Sequence, residues 1–361
     1  MKKHIIILFS VLIILLIYYS QHLDNKIIKE LKIMKGRTAV SNINFDKHIF
    51  NIDSLIDSVS YLNLYGCPEK IGKIDRLEKS GSRIFLSSSA RKRLYAFSNS
   101  GKFEYLIDRT IDGFQLRDNR LIVFERENNL LAFYTMDGKY MHQRKIGITS
   151  LECIALSDST YLSYTAGIKT EGDDGGDYEF TMLDKNLNIA GRLLKIPTDN
   201  KEADYYPGTR FFINGPEIYF IPTFGTTLNH VNTRGISEIL KIDFGNYSLS
   251  DADLGSIIAA DNLYLFPYVF NTRLLAETIT YRIFSFVFKG QYGYFLQSKK
   301  NNKNIAGLGS GTGINAGFNE IIPVGNIGDR FVVPIYNIID KRKKAYGNML
   351  LMLYHLRKAG I

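Results

Sequence analysis

Tryptophan is absent from this 361-residue chain, and cysteine occurs only twice, proline eight times and histidine six times. Two cysteines, Cys67 and Cys153, exclude a disulfide framework and any Cys-rich zinc site. The histidines (His4, His22, His48, His142, His230 and His355) form no H-x-H or H-E-x-x-H pair, and no C-x-x-C occurs. A preformed metal site therefore has no support in the linear pattern, and no cofactor is expected. The nucleophile motif G-x-S-x-G is missing as well. Disorder and low complexity are excluded too, because 45% of the residues are hydrophobic and the chain has only 30 Gly and 8 Pro. What is abundant is Tyr and Phe, 23 of each, and positive charge, with 45 Lys and Arg against 36 Asp and Glu for a formal +9. The length allows one large domain or two ordinary ones.

Long apolar runs are scarce, with one exception. Residues 5–19 are apolar except for Ser10, and Lys2 and Lys3 precede them. Fifteen residues is long for a signal-peptide core and just short of the ~17–25 that span a bilayer as a helix. A cleavable signal and an uncleaved anchor both fit, and the anchor is slightly favoured because the best cleavage position, after Ser20, has a small residue only at −1. The basic flank orients the N-terminus to the cytoplasm, so either reading exports the remainder. Residues 1–22 are read as the signal or signal-anchor segment and 23–57 as a connector. Within the connector, the spacing of Ile27, Ile28, Leu31 and Met34 predicts a short helix over 26–35.

From about Val59 onward, short runs of Ile, Leu, Val, Tyr and Phe alternate with Gly, Asn, Asp and Ser, a strand-and-turn composition. Segment 83–103 (RIFLSSSARKRLYAFSNSGKF) superposes without a gap on 120–140 (RLIVFERENNLLAFYTMDGKY) at an offset of 37. Arg83 meets Arg120, Leu86 meets Val123, Leu94 meets Leu131, and Gly101-Lys102-Phe103 meets Gly138-Lys139-Tyr140. The shared content is strand, polar turn, strand, then a glycine turn and an aromatic that opens a third strand. Weaker echoes follow at 161–164, 180–188, 217–221, 228–231, 239–244, 282–300, 331–339 and 349–357. Repeats of this length, each with three or four short strands, predict an all-β fold, a β-propeller over residues 58–361. At ~40–50 residues per blade, the length gives six or seven blades, and six fits the visible units better. Strand 349–357 is expected to complete a sheet begun near Val59–Leu64, which closes the ring.

The run EKIGKIDRLEKSGSRIFLSSSARKRLYAFSNSGKF (69–103) resembles the opening blades of a six-bladed β-propeller family of bacterial cell-envelope proteins, related in layout to NHL-repeat propellers. The matching elements are Ile71-Gly72-Lys73-Ile74, Ile84-Phe85-Leu86 and Leu94 through Phe103. Segment 217–245 is similar to a mid-chain blade of that family, and 348–358 to its closing strand. Asn99 and Ser100 replace the family's acidic turn in the first repeat, whereas Asp137 keeps it in the second. The loop after the first blade is reduced to RTIDGF (109–114), and the lipid-attachment cysteine of most relatives is missing. The resemblance implies an exported propeller and no settled activity.

GLGSGTG (307–313) lacks the flanking strand, helix and GK[ST] of a phosphate loop and reads as a surface loop. EGDDGGD (171–177) does not match calcium-loop spacing and reads as a hairpin tip. RKR (91–93) and KRKK (341–344) read as solvated hairpin charges. His142, His230 and His355 read as strand-face residues, and Cys153 in LECIAL as a core filler. Tyr205, Tyr206, Phe224 and Tyr268 at loop ends are candidates to stack on sugars. The expectation is a membrane-tethered or secreted, monomeric, non-catalytic binding module with a protein or glycan partner and no nucleic acid. The membrane contact would run through residues 5–19 if uncleaved. No catalytic, cofactor or metal residue is assigned. The alternative is a propeller enzyme of lyase, lactonase or glycan-active type with its site in the central channel. Asp, Glu, His or Asn side chains converging at the channel mouth would favour the enzyme, and an apolar or neutral channel would favour binding.

Overall fold

Apolar residues in the repeated segments come in unbroken runs, such as IFL at 84–86, LIVF at 121–124 and LLAFY at 130–134. Runs of this kind need a sheet buried on both faces. The computed structural model supplies one. It describes residues 32–34, 38–45, 49–88, 90–166, 178–195, 210–222, 225–249, 267–309, 322–335 and 349–357.

Three strands precede the repeats: β1 (Lys32–Met34), β2 (Ala39–Asn42) and β3 (Ile56–Leu64). Blade one is β4 (Arg76–Ser80), β5 (Arg83–Ser88), β6 (Arg93–Ser98) and β7 (Phe103–Ile107). Blade two is β8 (Gly113–Arg117), β9 (Arg120–Glu125), β10 (Leu130–Thr135) and β11 (Tyr140–Lys145). Blade three is β12 (Glu152–Ser157), β13 (Thr160–Tyr164), β14 (Tyr178–Leu183) and β15 (Ile189–Lys195). Blade four is β16 (Phe211–Asn214), β17 (Glu217–Phe220), β18 (Thr227–Asn232) and β19 (Gly235–Asp243). Blade five is β20 (Phe270–Glu277), β21 (Tyr281–Phe288), β22 (Gln291–Ser298) and β23 (Asn304–Leu308). Blade six takes β24 (Gly325–Ile327), β25 (Arg330–Ile335) and β26 (Met349–Leu356), and β3 from the start of the chain is its fourth strand. The architecture is an all-β, six-bladed propeller. Among the described residues no α-helix occurs, only single 3-10 turns at Asp53–Leu55 and Gly245–Tyr247.

The core is six apolar layers, one in each gap between neighbouring blades. Residues that alternate along one strand serve opposite gaps. Ile84 and Leu86 of β5 join Leu64, Val332 and Leu351 in the gap to blade six, while Phe85 joins Leu121 and Val123 in the gap to blade two. In β9, Ile122 and Phe124 then face blade three with Cys153, Ala155 and Leu183. This two-sided burial is why the middle strands show no polar alternation. The outermost strand β11, by contrast, is mostly exposed.

The 37-residue offset holds at each paired strand, because β5 and β6 start at residues 83 and 93 while β9 and β10 start at 120 and 130. Gly101 and Gly138 occupy the same turn position with φ +84° and +80°, where a side chain would be strained. Closure follows the expected course, with Met349 opposite Leu64 and Leu353 opposite Ser60 across β26 and β3.

Two expectations need correction. Residues 32–34 are not helical but form β1, parallel to β19, with Lys32 opposite Gly235; the rest of the predicted 26–35 helix apart from these three residues lies outside the described residues. The segment before β3 thereby adds parallel strands to the outer edge of blade four, since β2 also pairs β19 with Ala39 opposite Leu240. Local helical spacing yielded to an open strand edge offering a full row of backbone partners. Likewise Gly307 and Leu308, the start of GLGSGTG, belong to β23 and pair with Tyr294 and Gly293. Residues 310–313 of that loop, the acidic loop at 171–177, KRKK, Tyr205, Tyr206, Phe224, His4, His22, His48 and the apolar run at 5–19 lie outside the described residues.

Candidate functional site

The first strands of five blades, β4, β8, β16, β20 and β24, line the central channel. Residues near their N-terminal ends surround a cavity of about 470 Å³ at one mouth of the central channel. Lys73, Arg76, Arg126, Arg210 and Arg273 line it together with Asp75 and Asp112. Residues near the C-terminal ends surround a second cavity, about 560 Å³, where Glu78, Glu217, Glu277 and Asp329 outnumber Lys79 and Lys299. Leu77, Ile213 and Asn326 border both cavities, so the two are stacked along the axis. The channel is therefore polar in sign: cationic at one mouth and acidic at the other.

Most of the channel charges are tied to one another. Arg76 pairs with Glu78 two residues on and lies over the Phe114 ring, 5.1 Å from its centre. Burial pushes the Glu78 carboxyl up, against the pull of Arg76 and a hydrogen bond from the Leu116 N–H. Glu277 accepts from Arg282 Nε at 2.9 Å and Lys299 Nζ at 2.8 Å. Asp112 accepts the Arg126 N–H at 2.7 Å, and Arg273 Nε donates to Asn271 Oδ1 at 2.9 Å. Gln115 braces blade two against blade three by exchanging two hydrogen bonds with the backbone of Ala155, at 3.0 and 2.8 Å.

Glu152 and Arg210 do not pair side chain to side chain. The Glu152 carboxylate accepts the backbone N–H of Arg210 at 2.6 Å and of Phe211 at 3.3 Å, which positions the start of β16. The Arg210 guanidinium lies over the Tyr164 ring at 5.5 Å, and the residue is 5% exposed. None of its three side-chain nitrogens has a hydrogen-bond partner among the described residues.

Burial raises the Glu152 carboxyl above its ordinary 4.5, and the two backbone N–H bonds together with Arg76 and Arg273 only partly offset this. A carboxyl that is raised on folding binds its proton more tightly in the folded state. Its contribution to stability is full below about 4.5 and is lost as pH climbs through the raised value. Glu152→Gln is expected to flatten that fall, so denaturation midpoints measured from pH 4 upward should drop less steeply for the variant than for the parent. A parallel drop in both would reject this role.

The described histidines lie on outer or middle strands, although His230 and His355 reach Glu217 and Asp329 of the acidic cavity. His142 on β11 stacks on Phe133 at 4.5 Å, with its pKa lowered by burial and by Arg144 and Arg120. His230 pairs with Glu217 at 2.8 Å, and His355 Nε2 with Asp329 at 3.1 Å. Among the described residues no group of His, Cys, Asp and Glu is arranged to hold a metal ion. Both cysteines are buried with thiols pushed up by burial, and Cys153 belongs to the layer between blades two and three. In RKR, Lys92 pairs with Glu127, while Arg93 pairs with Glu69 and, at 3.0 Å, with Asp108. Those charges are cross-links at the blade edge rather than a free basic patch. Tyr268 is half-buried beside β20.

Arg76, Arg126, Arg210 and Arg273 were not singled out by the sequence pattern, because each belongs to a separate blade. One signal was available. Extending the repeat upstream of residue 83 sets RLEKS (76–80) against GFQLR (113–117), with polar Glu78 and Gln115 in register and each buried beside an apolar residue, Leu77 and Phe114.

These features define the class: a six-bladed β-propeller with a charged axial channel. The chain belongs to the 6-bladed beta-propeller family DUF5128, whose family model matches residues 30–258. No curated protein matches the sequence. Among solved structures, a candidate exported protein of Bacteroides fragilis is 16% identical with a TM-score of 0.70, covering 89% of this chain and 99% of that one. A member of the DUF4221 family from Bacteroides vulgatus is 10% identical with a TM-score of 0.50, covering 84% and 98%. Virginiamycin B lyase from Staphylococcus aureus is a more remote likeness at 16% identity and a TM-score of 0.40, covering 80% and 83%. At these identities the shared property is the fold.

Proposed function

We propose that this protein is an exported propeller of the cell envelope, membrane-tethered or secreted, that works as a non-catalytic binding module with its ligand site at the cationic mouth of the channel. The observation that carries the reading is the convergence of five cationic side chains on one cavity of ligand size, with the Arg210 guanidinium buried and unpaired there among the described residues. Glu78, Glu152 and Glu277 are engaged in structural pairs, and the described histidines lie on outer or middle strands. The channel thus supplies charge for recognition. Export is supported by the apolar run at 5–19 and by likeness to a candidate exported protein.

A second reading, a propeller enzyme of the lyase, lactonase or glycan-active type, is favoured by the acids at both mouths: Asp75 and Asp112 at the cationic one, and Glu217 and Asp329, paired with His230 and His355, at the other. The cationic mouth is neither apolar nor neutral. Its acids are outnumbered by cations, and Asp112 is held by Arg126, which places the balance on binding.

Envelope glycan fragments titrated into the purified protein, with calorimetry for binding and mass spectrometry for products, separate the two readings. Saturable heat with every fragment recovered intact supports the module. A product that accumulates over many turnovers, and disappears in Asp75→Asn, rejects it. Recovery of the native chain in the cytoplasmic fraction rejects export.

A further inference from the structure

Arg210 is the residue for which the fold gives no internal reason. Its backbone N–H is satisfied by Glu152, whose carboxylate accepts from the main chain of Arg210 and Phe211 and not from the guanidinium. Its guanidinium has been drawn into the protein, set on the face of Tyr164, and left with Nε, Nη1 and Nη2 all unpartnered among the described residues. A buried, uncompensated charge is strongly unfavourable, and side chains of this kind persist where a ligand completes them. The neighbouring cations do not share this state: Arg76 is committed to Glu78, and Arg273 donates to Asn271. Lys73 and Arg126 stand at the same cavity and add to the positive field.

We infer that the mouth cavity takes a small oxyanion-bearing molecule of monosaccharide size, a carboxylate or a phosphate ester, with Arg210 as the anchoring fork. This rests on the binding-module reading of the same cavity. A guanidinium presents parallel N–H donors that match two oxygens of one carboxylate or phosphate, and it does so most strongly when water is excluded. The aromatic floor beneath Arg210 supplies that exclusion on one side. Ile74, Ile111, Leu274 and Pro323 line the same cavity and offer apolar contact to the body of the ligand. The acidic far end of the channel repels the anion, so the charged group is held at the cationic mouth instead of passing through.

The test uses the full chain and four probes in calorimetry: D-glucuronate, glucose 6-phosphate, D-glucose, and sodium chloride at matched ionic strength. At least one of the two anionic sugars should bind saturably, and which one does so distinguishes carboxylate from phosphate. D-glucose and salt should give no saturable signal. Arg210→Met should weaken the anion at least tenfold, and Arg210→Lys should fall between, because it keeps the charge and loses the fork. Without ligand, Arg210→Met should melt at or above the parent temperature, since it replaces an unpaired buried charge with an apolar chain of similar length. A clear drop in its melting temperature shows a structural role for the guanidinium and overturns the proposal. Silence from both anionic sugars overturns it too. If a neutral envelope glycan binds while both anions fail, the module reading survives and the anion assignment falls.

Discussion

A chain that begins at Pro68, and so lacks β3 as well as β1, β2 and Phe45, is expected to accumulate as unfolded or aggregated protein, whereas one that begins at Asn51, lacking β1, β2 and Phe45 but keeping β3, should fold and melt cooperatively at a lower temperature than the full chain. Blade six owns only three strands from the C-terminal region, and its fourth, Ile56–Leu64, comes from the other end of the chain. The register runs from Met349 opposite Leu64 to Leu356 opposite Ile56. At about 0.5–1.5 kcal/mol net per hydrogen bond, the ladder alone is worth several kcal/mol. Burial of Leu64, which is fully inaccessible in the layer between blades six and one, adds about 2 more. The exit of β3 is also stitched to blade one, because the Tyr65 N–H donates to Gly101 O and the Phe103 N–H to Tyr65 O, both at 2.9 Å. Together these losses approach the ~5–15 kcal/mol that stabilises a whole domain. They also leave β26 with an uncovered edge, a template for aggregation. Gel filtration and circular dichroism of the two truncations would decide the matter. A soluble, monomeric, cooperatively melting Pro68 chain would mean that the ring does not depend on this closure.

The same closure was legible in the sequence, and the reason is physical. Middle strands are buried on both faces, so they must be short apolar doublets around a polar turn. Segments 83–98 and 120–135 show that pattern twice at one spacing. Later doublets, such as Glu217–Phe220 with Thr227–Asn232, carry the same pattern but lose the fixed offset, because the loops between strands differ in length. The blade count had to come from arithmetic for that reason. The helix expected over 26–35 failed because periodicity in a ten-residue window records only local amphipathicity. It carries no information that β19 presents a free edge to which residues 32–34 and 39–42 can add.

The candidate site was not legible, for an equally physical reason. A propeller channel is built from one short strand per blade, and each contributes one or two side chains. Arg76, Arg210 and Arg273 are separated by more than sixty residues at each step, and nothing in their immediate neighbours differs from an ordinary surface strand. Burial is what sets Arg210 apart, and burial is a property of the closed ring. Searching for polar residues that hold register between repeats, as Glu78 and Gln115 do, is the form of sequence reasoning suited to this architecture.

Phe45→Ala should cost about 3–5 kcal/mol, as much as the loss of a central core residue, although Phe45 precedes the first blade. By sequence, residues 23–57 read as a connector. In the fold, the main chain after β2 continues along blade four, with the Ile43 N–H donating to Asp243 O at 2.7 Å. Phe45, 1% exposed, is thereby inserted among Phe244, Tyr247, Phe286 and Phe288, with ring centres 4.8–6.1 Å away. Two of these rings belong to β21 of blade five and two to the turn that follows β19, so the side chain bridges the outer part of the gap between blades four and five. Removing it leaves a cavity walled by rings anchored on two separate sheets, which limits how far they can collapse to fill it. Phe45→Leu retains most of the volume and forfeits mainly the edge-to-face contacts, worth about 1 kcal/mol. Urea denaturation should therefore order the midpoints parent, then Leu, then Ala, with an unchanged dependence on denaturant concentration. Hydrogen exchange in the alanine variant should quicken first in β19 and β21, on either side of that gap. An Ala variant within 1 kcal/mol of the parent would mean that the segment from β2 to β3 lies on the propeller without holding it together.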